Sequence, residues 1–170
     1  MEILEIILPA ILVLLTAYLL IDKLLRNDEK RRKFELYKEG MKTLTPIRLR
    51  AYERLILVLE RTVPSTLILG IAKPGLTNMQ LHTLLLDNIR QEFAHNLSQQ
   101  VYVSDELWNG IRNAQESLLK LVNTCAAKCN PNESANQLAQ LIIEVYGSSE
   151  NTPSEIAMEN LKIEVRRYFQ

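Results

Sequence analysis

Glu92-Phe93-Ala94-His95 sets a carboxylate and an imidazole at metal-ligand spacing. On a helix an i,i+3 pair occupies adjacent positions of one face, the arrangement by which di-iron bundles hold metal with E-x-x-H units. Such a centre also needs a second E-x-x-H and two further inward glutamates, and this chain carries a single unit. Steps of about 100° from the face on which Leu81, Leu85, Ile89 and Phe93 recur carry His95 round towards solvent. Glu92 and His95 are therefore weak metal candidates, with an exposed histidine as the expectation. His82 falls nearer the apolar face, and is expected to be semi-buried and hydrogen-bonded, since no partner histidine or cysteine completes a set around it.

Cys125 and Cys129 share a helix face at i,i+4, but two thiolates alone leave a zinc ion half-coordinated. Cys125 also falls on an apolar seam, so both are read as small buried hydrophobes. Two cysteines four apart do not resemble a secreted disulfide framework, and a reducing compartment fits better. Arg48, Arg50, Arg54 and Arg61 alternate with Glu53 and Glu60, as a solvated, internally paired helix surface does. Phosphate loop, nucleophile elbow and zincin motifs are all absent from the sequence, so no cofactor and no small-molecule substrate is implied. Tyr102 and Trp108 would serve as core aromatics or as anchors for a protein partner. Lys plus Arg equals Asp plus Glu at 20 each, so no global positive field favours nucleic acid.

The elements that must position these residues are expected to be long helices. The chain has 170 residues, enough for one domain with a real core, and only five glycines and six prolines interrupt it. From Ile6 to Ile21 there is no charge, and with Ile3 to Glu5 the run reaches about 19 residues, near the length that spans hydrocarbon. Glu5 lies in the first turn, where the helix dipole favours an acid, and Pro9 is tolerable near a helix start. A cleaved leader would carry basic residues ahead of the run, whereas this one carries Glu2 and Glu5, and no small-residue cleavage site follows. A buried core helix is disfavoured because the run is apolar on every face. Residues 1–22 are thus expected to be a transmembrane anchor. Lys23, Arg26, Lys30, Arg31, Arg32 and Lys33 flank its C-terminal side, which the positive-inside rule places in the cytoplasm.

Residues 23–45 read as a charged stalk helix with Phe34, Tyr37, Met41 and Leu44 at 3,4,3 spacing on one face. Thr45-Pro46 resembles a cap followed by proline at the first helical position, so a new helix is expected over Ile47 to about Thr62. Pro64 should interrupt, with a short helix over Ser65 to Ala72 and a turn at Lys73-Pro74-Gly75. Thr77 with Gln80 forms a capping box that opens a helix to about Gln99. A brief extended link at Val101-Tyr102-Val103 follows, and Ser104 caps a helix whose seam is Leu107, Ile111, Ala114, Leu118, Leu121 and Cys125. Asn130-Pro131-Asn132-Glu133 and Thr152-Pro153-Ser154-Glu155 carry the same start signal, a cap, proline and an acid. The first of these two helices should end at Gly147. In the last, Leu161, Ile163 and Val165 alternate as in a strand, but the cap favours a helix.

Three stretches, Ile47-Arg48-Leu49-Arg50-Ala51-Tyr52-Glu53-Arg54-Leu55, Glu92-Phe93-Ala94-His95-Asn96-Leu97-Ser98-Gln99-Gln100 and Val103-Ser104-Asp105-Glu106, resemble an uncharacterised Bacteroidota family of short single-pass membrane proteins. The resemblance implies an N-terminal membrane helix, a helical cytoplasmic domain and a place in a bacterial inner membrane, and it brings no activity. The expectation is an all-α chain, with the anchor at 1–22, the stalk at 23–45 and a bundle of about five helices over 46–170. As a function, a non-enzymatic adaptor or scaffold is expected, with the lipid bilayer, a protein partner or a second copy as its contacts. The rivals are a metal or redox enzyme using Glu92 and His95, and an accessory of the membrane surface or of envelope assembly.

Overall fold

In a computed structural model, the chain is described over residues 2–169, apart from the side chains of 2–6, 8–10, 13 and 169. It is all-α, and no strand occurs among the described residues. It divides into two compact units, Met1–Pro46 and Ile47–Gln170.

From Glu2 on, the first unit is helical and belongs to α1, which runs unbroken over Glu2–Arg61. The helix break expected at Thr45-Pro46 does not occur. Proline inside a helix removes one N–H and crowds the carbonyl four residues back, at about 3 kcal/mol, yet it leaves the rest of the ladder intact. Thr45 Oγ1 donates instead to the Met41 carbonyl at 2.7 Å, a bond that only a residue already in the helix makes. A threonine-proline pair therefore has two readings, and here the chain continues. Described side chains of this unit are almost all exposed. Among the described residues, no helix is long and apolar enough to cross a membrane. The anchor expected at 1–22 falls partly outside the described residues.

The second unit is a helical bundle. It holds the end of α1 together with α2 (Pro64–Ile71), α3 (Asn78–His95), α4 (Asp105–Ala126), α5 (Asn136–Gly147) and α6 (Pro153–Phe169). α4 packs against α3, α5 and α6, and its buried stripe is Leu107, Ile111, Ala114, Leu118, Val122 and Cys125. Val122 takes the place expected for Leu121, because a straight helix at about 3.6 residues per turn drifts off a strict 3.5 repeat. Leu55, Val58 and Leu59 of α1, Leu81, Leu85 and Ile89 of α3, Leu138 and Ile142 of α5, and Leu161 of α6 complete the core.

Cap chemistry sets most boundaries. Thr77 and Gln80 form the reciprocal box at the start of α3, and Ser104 Oγ accepts from Leu107 N at 3.2 Å at the start of α4. Thr152 N donates to Glu155 Oε2 at 2.8 Å and Glu155 N to Thr152 Oγ1 at 3.3 Å, starting α6 as a helix in spite of the strand-like alternation. Lys73-Pro74-Gly75-Leu76 is a turn with Gly75 at φ 87°, a conformation glycine adopts without strain. α3 stops at His95 rather than Gln99, because Asn96 folds back and its Nδ2 donates to the Glu92 carbonyl at 2.9 Å. The expected extended link is instead a 3₁₀ turn over Leu97–Tyr102, leaving only Val103 extended.

Asn130-Pro131 does not open a helix, and α5 begins at Asn136. The intervening loop is held by the first turn of α3, whose N–H groups lack intrahelical acceptors. Asn78 N donates to the Glu133 carbonyl at 2.8 Å and Met79 N to the Pro131 carbonyl at 3.0 Å. The Asn78 side chain, in a residue 2% exposed, donates to the Asn130 carbonyl at 2.8 Å and to Gln137 Oε1 at 3.3 Å, and accepts from Leu138 N at 3.2 Å. One buried amide thus joins α3, the loop and α5. Gly147 closes α5 without a left-handed φ; that conformation falls to Asn151, at 54°.

Replacing Asn78 with alanine leaves the Leu138 N–H and the Asn130 carbonyl without this partner in a dry setting, and should destabilise the protein by about 2–3 kcal/mol. Urea unfolding of the full-length variant measures it; a loss of under about 0.5 kcal/mol would show that the loop holds without the amide.

Candidate functional site

Where α1, α4 and α6 meet, Glu164 accepts hydrogen bonds from three donors. Tyr52 Oη donates to Oε1 at 2.9 Å, Ser104 N donates to Oε1 at 3.1 Å, and the Ser104 hydroxyl donates to Oε2. The placement follows from spacing: Glu164 lies three residues after Leu161, which is fully buried, so α6 turns its carboxylate inward. Tyr52 is 2% exposed, one turn before Leu55 on the buried face of α1. Burial first, and then the Glu164 carboxylate as hydrogen-bond partner and negative charge, push the Tyr52 phenol above its ordinary range, while Arg48 opposes the shift. Arg48 lies 4.5 Å over the Tyr168 ring, and the Tyr52 and Tyr168 rings are tilted with centroids 6.5 Å apart.

Beside this cluster is a cleft of about 450 Å³, lined by Arg48, Tyr102, Ser104, Glu106, Asn160, Arg167 and Tyr168 among others. It faces solvent, and its two arginines are balanced by Glu106 and Glu164. The Ser104 hydroxyl donates to Glu164 and accepts from Leu107 N, so it is occupied as a cap rather than held by a base for attack. The network ties three helices and offers no nucleophile, base and oxyanion donor in line.

The residues marked in the sequence lie elsewhere. Glu92 is half-buried and faces Arg61 across α1 and α3, with Nη1 to Oε2 at 3.9 Å; His95 is exposed, beside them in a shallow depression. His82 is half-buried and bonds through Nε2 to Asn123 Oδ1 at 2.8 Å. Cys125 and Cys129 are free thiols, both buried, and burial pushes the Cys125 thiol upward. Among the described residues, no three His, Cys, Asp or Glu side chains converge as a metal set does. Trp108 is half-buried against the core. Of the basic flank, Arg26 pairs with Asp22 at 2.7 Å and Arg31 with Glu35 at 3.0 Å, each within the helix. Glu164 was not singled out from the sequence, although an acid at i+3 from Leu161 and i+4 before Tyr168 was the available signal.

Glu164→Gln presents an amide where three donors converge, and should cost about 1–3 kcal/mol in urea unfolding. Tyr52→Phe should cost about 1 kcal/mol. A phenol raised on folding binds its proton more tightly in the native state, so its contribution is complete below the ordinary tyrosine value, about 10, and is lost as pH rises further. Stability should therefore fall above about pH 10 in the parent and less steeply in Tyr52→Phe; parallel slopes would remove Tyr52 as the cause.

No curated protein matches the chain, and no solved structure does. A family defined only as DUF7935, a family of unknown function, matches residues 1–168, and the chain belongs to it.

Proposed function

We propose that this protein is a membrane-tethered helical adaptor or scaffold, anchored through residues 1–22 in a bacterial inner membrane, with its bundle on the cytoplasmic side making protein contacts. The observation that carries the reading is apolar surface all round one helix. Ile11, Leu12, Leu14, Leu15, Tyr18, Leu19, Leu20 and Ile21 are each at least 56% exposed. Successive positions step by about 100°, so these side chains cover every face, and a protein partner would cover one stripe. Burying a side chain of this size is worth about 1.5–3 kcal/mol, so leaving all of them in water would cost on the order of 10 kcal/mol. Hydrocarbon surrounds a helix on all sides and satisfies that demand.

The described part of α1 does not by itself make a span. The proposed one takes in Ile3, Leu4, Ile6, Leu8, Ala10 and Val13, which are apolar in sequence and whose side chains lie outside the described set. Orientation rests on Lys23, Arg26, Lys30, Arg31, Arg32 and Lys33 following a leader with no basic side chain. The adaptor role rests on a bundle whose polar clusters serve its own packing, and on an exposed stalk. In this reading the protein acts by holding partners in place and not by turnover.

Full-length protein in native membranes should resist alkaline carbonate extraction and float with the lipid. Leu12→Asp with Leu15→Asp places two acids mid-span at about 2.5–3.5 kcal/mol each and should release it. In intact spheroplasts the bundle should be protected from external protease and lose protection on permeabilisation. Retention of the double variant, or cleavage without permeabilisation, contradicts the anchor or its orientation respectively.

A further inference from the structure

The flanks of the exposed stalk's seam carry one sign of charge, whereas its far side mixes acids with Arg32 and Lys42. With Phe34 and Met41 taken as a positions of a heptad and Tyr37 and Leu44 as d, the flanking e and g positions hold Arg26 and Arg31, which pair within the helix with Asp22 and Glu35, and Lys33 and Lys38. No acid occupies either flank between residues 24 and 40. Asp28, Glu29, Glu35 and Glu39 all fall at b, c or f, on the far side. Phe34 and Tyr37 are 65% and 66% exposed, so the seam is uncovered in the monomer.

We infer that this face docks one helix of a different protein, one that presents apolar residues to Phe34, Tyr37, Met41 and Leu44 and acidic residues to the basic flanks. A second copy fits poorly. Parallel pairing would set Arg26 against Arg31 and Lys33 against Lys38 of the other chain, and antiparallel pairing would set flank against matching flank, again with like charges. Asn27 and Lys30, in the preceding a and d positions, confine the apolar seam to 34–44 and offer further donors to an acidic partner. Anionic lipid is the other negatively charged candidate. The unbroken helix carries Lys33, Phe34 and Lys38 about 18–26 Å beyond Ile21 at about 1.5 Å per residue, outside a headgroup layer of about 5–8 Å and beyond the screening length of about 8 Å, whereas Arg26, about 8 Å beyond Ile21, stays at the headgroups. Only that last step rests on the membrane reading.

The test uses the full-length protein in detergent micelles and two labelled heptad peptides with the same apolar a and d residues, one with glutamate and one with lysine at e and g. Anisotropy should show the glutamate peptide binding at least about tenfold more tightly, with the preference shrinking in salt. Phe34→Ser with Tyr37→Ser should abolish binding and leave the bundle's melting transition unchanged, since both side chains are exposed. Lys33→Glu with Lys38→Glu should favour the lysine peptide. The inference is overturned by equal binding of the two peptides, by no binding of either, by indifference to the substitutions, or by concentration-dependent self-association through the stalk. It also fails if a probe at Phe34 is shielded by phosphatidylserine vesicles and not by the peptide. Peptide binding is read without a bilayer, so its failure leaves the anchor standing, and failure of membrane extraction leaves the docking face standing.

Discussion

A carboxylate drawn out of bulk water must find donors, and in the bundle the half-buried Glu164 finds its donors on two other helices. Through Tyr52 it fixes the inner face of α1, and through Ser104 it fixes the first turn of α4, while its own backbone belongs to α6. Apolar burial around Leu55, Leu107, Ile111 and Leu161 supplies most of the driving force, but it is non-directional and tolerates small slides of one helix on another. A carboxylate with three convergent donors does not. Asn78 plays the same part at the other junction, where α3, the loop before α5 and α5 itself share one amide. No buried side-chain nitrogen or oxygen among the described residues lacks a partner, so polar networks and apolar core specify the same arrangement.

Much of this fold is visible in the sequence where the governing chemistry is local. Thr77 with Gln80, Ser104, and Thr152 with Glu155 act over three residues, and each starts a helix where the pattern says. The failures occur where a local signal competes with something distant. Asn130-Pro131 resembles a cap, but the Pro131 carbonyl is claimed by the Met79 N–H and the Asn130 carbonyl by the Asn78 side-chain amide, more than fifty residues earlier in the chain. Thr45-Pro46 resembles a helix start, yet the preceding turn persists and the helix passes through. Val122 replaces Leu121 because a seam written in sevens drifts on a straight helix.

The candidate sites divide in the same way. Glu92 and His95 attract notice because their spacing matches a ligand pair, and the structure places Arg61 beside Glu92 and leaves His95 at the surface. The E-x-x-H spacing guarantees a shared face and says nothing about which neighbours share it. Glu164 has no motif at all. Its importance depends on Tyr52 and Ser104, 112 and 60 residues away in the chain, and only the folded contacts bring these groups together.

On the proposed membrane reading, α1 passes from a stretch apolar on all sides to one whose exposed seam is flanked by basic side chains. That proposal sets hydrocarbon around the first and an aqueous partner beside the second, with the change of solvent near Asp22. Nitroxide labels at Leu14→Cys and Phe34→Cys, in full-length protein in bilayers, report it directly, because Cys125 and Cys129 are buried away from the reagent. At residue 14 oxygen should relax the label and an aqueous nickel complex should not; at residue 34 the nickel complex should dominate. Equal nickel access at both positions would contradict the tether.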